Sequence, residues 1–388
     1  MCNQYHSLFC IVPPHLLQAI AENGTPEQQE QARQNLVVGG QMRVQRAVAS
    51  SKTPEVPKGV STDKQRVVFD AQNGSTLPGI EVRSEGQPAT GDVTVDEAYD
   101  GAGATYDLYN EVYGRNSIDN YGMRIDSTVH YKVGYDNAFW NGQRMVYGDG
   151  DENLPEDQRL FNRFTIAIDI IGHELTHGVT QFSAGLNYRD QPGALNESMS
   201  DVFGSMVKQR FLNHTAEEAD WIIGAGLFTD KVNGVGIRSM SAPGTAYDDP
   251  TLGKDPQPGH MDNYVDTTSD NGGVHINSGI PNRAFYLTAV ALGGFAWEKA
   301  GRIWYMTLRD KLTSSSNFMD AARLTHATAG ELYGQGSAEQ LAVRTSWAEV
   351  GIVIAVDDDS DDDPDDTPQP GGCSPAAIAE AIFRGLFD

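Results

Sequence analysis

Cysteine is scarce in this 388-residue chain: Cys2, Cys10 and Cys373 are the three, all near the ends. Three thiols cannot build a disulfide framework, so the body of the fold holds together by burial. Long apolar runs are missing too. No window approaches the roughly eighteen unbroken apolar residues of a membrane-spanning helix, which excludes one. Positive charge is short, with 28 Lys and Arg against 53 Asp and Glu and a net charge of −25. Nucleic acid and anionic membranes are therefore poor partners, because phosphate binding needs a basic face. Met1 to Cys10 contains no Lys or Arg, and the first apolar run is cut at Pro13-Pro14. Leu8-Phe9-Cys10 lies too near the start for a lipoprotein box and lacks basic flanks. The expectation is a chain without a standard signal peptide, which leaves a cytoplasmic location or non-classical export open.

What is present reads as two packed domains with appendages. Residues 12–50 form a small helical unit: Pro14 opens one helix, Gly24 closes it, and Thr25-Pro26 starts a second as N-cap and N1. Residues 1–50 are thus set apart by SSKTPEVPKG, a proline-bearing linker of the kind proteases cut. From 65 to 150 the signals are β: RVVFDA, GIEVRSE, STVHYKV and RMVYGDG, separated by glycine turns. Asp96 to Tyr113 reads as a helix. Phe164 to Ala184 is apolar almost all round, through Ile166, Ile170, Ile171, Leu175, Val179 and Phe182, and predicts a central buried helix. Helical patterns follow at 196–212, 281–292, 296–312, 317–332 and 337–350. The fold class is α+β, with a β-rich domain over 51–187 and a helical domain over 188–356. Residues 357–372 carry eight Asp, three Pro and two Gly and predict a disordered acidic linker. Residues 373–388 predict an amphipathic helix that either packs on its own domain or docks on a partner.

The chemistry concentrates in His173-Glu174-Leu175-Thr176-His177. Two His four apart share one helical face and can reach one metal. Glu174, rotated by about 100°, points beside the metal and suits a general base acting on water. Two unpaired imidazoles on a buried helix would otherwise be costly. A catalytic zinc needs a third protein ligand. In Gly193–Asp201, Glu197 supplies it and Asp201, four residues on, can hold the tautomer of a ligand His.

At these residues the sequence resembles the thermolysin family of zinc metallopeptidases (gluzincins), over about 95–351. NAFWNGQRMVYGDGD, HELTHGVTQFSAGLNY, GALNESMSD, IRSMS and DNGGVHINSGI carry the resemblance. The extension with Pro13-Pro14-His15-Leu16-Leu17 is similar to the protealysin subgroup. The resemblance implies a two-domain neutral endopeptidase with a zinc helix between its domains, made as a proenzyme whose propeptide inhibits it. It implies zinc ligands His173, His177 and Glu197, and Glu174 as base. His275 and Tyr188 would stabilise the oxyanion, and Asp270 would orient His275. Asn196 and Asp201 would support the ligand His residues. Asn137, Ala138 and Arg238 would bind the substrate backbone. Phe161, Phe164, Ile170, Leu227 and Ile237 would line a pocket for a large apolar residue after the cut. Peptides or proteins would be substrates, and secretion is the family's habit.

The sequence departs from that family where calcium would bind. Asp169 and Asp220 are kept, but Lys208 and Ala225 stand at carboxylate positions, and Val235 falls on another acidic one. Calcium is therefore expected to be absent or weak, with the Lys208 ammonium between the two Asp; the alternative is a solvated Lys208. His130 and His326 read as structural, His214 and His260 as loop residues, and His6 and His15 carry no expected metal role. A thiolate from Cys2 or Cys10 is an alternative cap on the zinc. The rival from another class is a catalytically silent zinc-binding interaction protein. A third-His metal site is excluded, because Thr180 and Ser183 stand where HExxHxxGxxH needs Gly and His.

Overall fold

The computed structural model describes residues 9–49 and 61–355. The expected cut near Ser50–Thr53, the acidic linker, the C-terminal helix, Cys2, His6 and Cys373 lie outside the described residues.

A two-residue strand, β1 (Phe9–Cys10), leads into α1 (Pro14–Asn23) and α2 (Pro26–Ala49). Thr25 and Gln28 cap α2 reciprocally: Gln28 N–H donates to Thr25 Oγ1 at 3.3 Å and Thr25 N–H to Gln28 Oε1 at 2.7 Å. Gly24 ends α1 with an extended backbone and not the left-handed one its type suggests. Leu16, Leu17 and Ile20 bury one face of α1. Each such side chain is worth roughly 1.5–3 kcal/mol when fully buried, which holds a helix too short to persist alone.

The sheet places β1 at one edge, in the order β1-β5-β6-β4-β2-β3. Its other strands are β2 (Arg66–Asp70), β3 (Ile80–Ser84), β4 (Ile125–Val129), β5 (Ala138–Trp140) and β6 (Met145–Tyr147). β1 runs antiparallel to β5, with Phe9 opposite Trp140 and Cys10 opposite Phe139. The strand expected through STVHYKV stops at Val129, because His130 and Lys132 take left-handed backbones, φ 52° and 58°. Helix α3 (Val93–Asp107) is capped by Asp92, which accepts from Thr94 N–H and Val95 N–H. A π-helical turn (Leu108–Val112) carries it on.

The central helix α4 spans Ile168–Gln181, shorter than the apolar pattern from Phe164 implies. The backbone before it is committed elsewhere: Asn162 N–H donates to the Leu227 carbonyl and Phe164 N–H to that of Gly148. Ile166 is left in a turn, 37% exposed, outside the buried face to which its type assigned it. Helix α5 (Asp190–Leu212) packs along α4. The two meet at glycines: a Cβ on Gly172 would stand 3.0 Å from the Gly204 Cα, and one on Gly204 2.5 Å from the Asp169 carbonyl oxygen. Only glycine at these positions lets the two backbones come so close.

Two small hairpins, β7 (Ile222–Ile223) with β8 (Arg238–Ser239) and β9 (Asp248–Asp249) with β10 (Gly253–Lys254), precede the helical half. There α6 (Asp270–Asn277), α7 (Gly279–Leu292), α8 (Ala300–Asp310), α9 (Phe318–Tyr333) and α10 (Ala338–Glu349) follow the expected order. Trp304 and Trp347 stack with centroids 6.3 Å apart, and Trp347 Nε1–H donates to Thr325 Oγ1 at 2.9 Å.

Lys208 on α5 is tied down. Its Nζ stands 2.8 Å from Asp169 Oδ2 and 2.8 Å from Asp220 Oδ1, and donates to the Ile222 carbonyl at 2.5 Å. Burial opposes its charge, but Asp169 and Asp220 outweigh that and raise it above the ordinary lysine value.

His130 is structural. Its Nδ1 faces Asp149 at 2.8 Å and its Nε2 faces Asp92 at 3.1 Å. The Asp149 hydrogen bond leads in raising its pKa to about 9, against the penalty of burial. Because the folded value lies above the unfolded one of about 6.5, this tie is fully present below the unfolded value and fades as pH rises through about 9. In denaturant titrations of an inactive Glu174→Gln background, the stability advantage over His130→Gln should shrink steadily from pH 6.5 to 9.5. A constant difference would contradict the charged tie.

Candidate metal centre

Helix α4 presents His173 and His177 on one face, and α5 brings Glu197 opposite them. Ligand atoms of the three lie within 4.8 Å of one another, all buried. His173 Nδ1–H donates to Asp201 Oδ1 at 2.8 Å. His177 Nδ1 lies 2.8 Å from Asn196 Oδ1 and 2.9 Å from Ser200 Oγ. Both rings then carry their proton on Nδ1, which leaves Nε2 bare. The two Nε2 atoms face each other at 3.0 Å. Each also lies 3.5 Å from a Glu197 oxygen, and Glu197 Oε2 is buried without a hydrogen-bond partner. Two converging lone pairs and a buried carboxylate oxygen with no donor fit a cation. Two N and one O donor in a buried site match zinc with one position left for water or substrate.

Asp201 is held charged. Burial opposes this, but Arg238 and His173 keep it well below the usual carboxylate range. Arg238 donates to it from Nε at 2.8 Å and Nη2 at 2.7 Å, and Asn282 Nδ2 adds a fourth bond at 2.8 Å.

On the far wall, Asp270 Oδ1 meets His275 Nδ1 at 2.7 Å, and Asp270 Oδ2 accepts from His275 N–H at 2.9 Å. Burial opposes the imidazolium, yet Asp270 and then Glu197 raise His275 to about 9. The loop that allows this is left-handed from Asp270 through Gly273. At Gly272, φ is 88° and a Cβ would collide with Asp190 Oδ1. Tyr188 O–H donates to Glu197 Oε1 and lies 3.1 Å from His275 Nε2. Glu174 Oε2 accepts from Trp140 N–H at 2.9 Å.

Residues 10–12 lie across these groups. The Cys10 carbonyl oxygen is 3.0 Å from His275 Nε2. Ile11 N–H donates to the Ala138 carbonyl at 3.2 Å, and the Ile11 carbonyl accepts from Arg238 Nη1 at 3.2 Å. Val12 N–H donates to Asn137 Oδ1 at 3.0 Å. Ile11 is fully buried, as are Phe161, Phe164, Ile170, Leu227 and Ile237, all in one apolar cluster.

The structure thus brings together the expected metal-holding, base, oxyanion and backbone-binding residues, and places the five apolar ones in the same buried core as Ile11. Sequence reasoning missed Ser200 and Asn282, which add polar partners to His177 and Asp201. Ser200 lies three residues after Glu197 on α5, so helical spacing could have found it. Asn282 comes from a separate helix and leaves no local signal. Nor does the sequence say that Cys10-Ile11-Val12 takes the cleft.

Comparison with known proteins agrees. The thermolysin metallopeptidase catalytic domain matches residues 58–181 and its alpha-helical domain 184–352, and the protealysin propeptide matches 10–37. An extracellular metalloprotease of Pectobacterium carotovorum is 52% identical over 89% of this chain and 96% of its own length. Protease PrtS of Photorhabdus is 46% identical over 92% and 94%. The solved precursor of protealysin from Serratia proteamaculans, 50% identical, superposes with a TM-score of 0.79 over 89% of this chain and 100% of its own. The chain belongs to the thermolysin family of neutral metalloproteases, in its protealysin-like subgroup, and carries that subgroup's propeptide.

Proposed function

We propose that this endopeptidase cuts on the N-terminal side of large apolar residues, outside the cell as its relatives' names indicate, and that residues 1 to about 50 inhibit it until removed. One observation carries the reading: the backbone of Cys10 and Ile11 is held by His275, Ala138 and Arg238 as a substrate's would be. A bound zinc would be held by His173, His177 and Glu197 and would supply Lewis acidity to the carbonyl and the attacking water. Glu174 takes the water's proton and delivers it to the leaving amine. His275 and Tyr188 donate to the carbonyl oxygen as it gains charge, with Asp270 keeping His275 protonated. Arg238, Asn137 and Ala138 fix the backbone beyond the cut. Phe161, Phe164, Ile170, Leu227 and Ile237 receive the side chain that Ile11 represents. The silent-binder alternative would not need Glu174, Tyr188, Arg238 and His275 gathered in one cleft.

Glu174→Gln should keep zinc and fold yet lose at least several hundredfold in peptide hydrolysis, about 4 kcal/mol in the barrier. Activity within a few-fold of wild type would refute the base assignment. His275→Ala should lower kcat more than it raises KM. If processing is autocatalytic, the Glu174→Gln precursor stays full length while wild type is cut near Ser50–Thr53. A peptide library should show large apolar residues after the cut.

In place of the family's paired calcium site we propose the Lys208 ammonium, whose contacts with Asp169 and Asp220 leave no carboxylate cage for a divalent ion. Lys208→Ala strands the buried Asp169 and should cost roughly 3 kcal/mol. EGTA should leave the wild-type melting temperature unchanged, whereas a zinc chelator abolishes activity. A large EGTA-induced drop reversed by calcium and not by zinc would overturn this.

A further inference from the structure

Helix α2 is fastened to the catalytic body through two buried acids. Gln31 Nε2 lies 3.1 and 3.0 Å from the two oxygens of Asp136 and 2.6 Å from Asp151 Oδ1. Asn35 Nδ2 donates to Asp136 Oδ2 and to the Gly134 carbonyl, both at 3.1 Å. Asn153 Nδ2 holds the other end of the Gln31 amide at 3.1 Å. Gln31, Asn35, Asp136 and Asp151 are 8%, 5%, 4% and 2% exposed.

Two carboxylates within reach of one amide nitrogen, both out of water, cannot both stay charged at ordinary cost. The two are not equivalent. Asp151 Oδ2 accepts from Leu160 N–H at 2.7 Å and Phe161 N–H at 2.8 Å, donors that remain whether or not α2 is present. Asp136 draws its amide donors from Gln31 and Asn35, both on α2. We propose that Asp136 and Asp151 share one proton while α2 covers them and release it to water when α2 lifts, so that rising pH loosens the propeptide. This rests on the reading that the propeptide covers the cleft.

Burial, and then the Asp151 charge, push Asp136 well above the usual carboxylate range; burial also raises Asp151. The sign follows. The covered form holds a proton that the lifted form, with ordinary aspartates near 4, does not. Closure is therefore strongest below the ordinary value and weakens by up to tenfold per pH unit until the raised value is passed. The neighbouring charged and titratable groups do not reproduce this. Tyr135 is buried and raised, so it stays neutral, and Arg159, which lowers Asp151, stays cationic. His15 on α1 acts oppositely. Burial lowers it to about 4, so lifting takes up a proton at any pH between that value and about 6.5. The two effects oppose each other in that range, and the loosening should emerge above about pH 6.5.

The test uses zinc-loaded, full-length Glu174→Gln precursor. Hydrogen exchange of peptides spanning 14–36, corrected for intrinsic rates, gives the opening constant from pH 5.5 to 8.5. It should rise nearly tenfold per unit above pH 6.5. Asp136→Asn, which mimics the protonated acid, should remove that rise and stay closed at pH 8.5. His15 and His275 contribute equally to both proteins, so the difference isolates the pair. Gln31→Glu, in the removable segment, should open at least tenfold more at pH 7.5 and less at pH 5.5. Protected helices with equal slopes in parent and Asp136→Asn, or an unchanged opening constant in Gln31→Glu, overturn the shared proton. No protection at any pH would overturn the covering itself, and the latch with it.

Discussion

One buried carboxylate ties the site together. Asp201 receives His173, two nitrogens of Arg238 and Asn282. Its bond to His173 sets the ring so that Nε2 faces the metal position. Its bonds to Arg238 aim the remaining guanidinium nitrogen at the backbone of the bound chain. Metal ligation and peptide recognition thus share one anchor, and neither could be adjusted alone. The anchor works because α5 lies close enough to α4, which depends on the Gly172–Gly204 contact. A methyl group there would part the helices and separate Glu197 from the two histidines. The constraint begins as packing and ends as coordination geometry.

Charge explains the arrangement around that anchor. Glu174, Glu197 and Asp201 are wholly buried within one small volume. Arg238 neutralises Asp201 and a raised His275 answers Asp270. Glu197 is left with bare histidine nitrogens at 3.5 Å, a hydroxyl from Tyr188, and a His275 imidazole at 3.6 Å that it shares with Asp270. Burying such a group would be costly without a positive partner. A divalent ion between the bare nitrogens and Glu197 would balance that charge more fully than the shared His275 does, independently of the reaction it serves.

Much of this was legible because it is written at short range. The HExxH spacing, Glu197 and Asp201 at i and i+4, the cap at Thr25 and Pro14 at the first helical position are local patterns with a direct geometric meaning. Sequence and structure differ where backbone hydrogen bonds are claimed from a distance. Phe164 and Asn162 donate to Gly148 and Leu227, so the helix starts later than its apolar pattern. His130 leaves its strand to meet Asp92 and Asp149, a choice that alternation cannot register. The placement of Cys10-Ile11-Val12 is also invisible in the sequence, because the segment carries ordinary apolar residues. Its meaning lies in the hydrogen bonds it makes with residues more than a hundred positions away.

The Lys208 cluster shows what the proposed exchange of a metal for a side chain accomplishes. A bound calcium stabilises in proportion to its free concentration, through mass action. A lysine is always present at its own site, so the contribution no longer depends on the medium. The ammonium carries one charge where calcium carries two, and it can serve only a few oxygens. Asp169, Asp220 and the Ile222 carbonyl use its three protons. A third carboxylate would be left unsatisfied, and under the proposal an acid at position 225 would have no cation to meet. On the proposed reading Ala225 and Lys208 are one adaptation, because a single ammonium limits how many anions can stand beside it.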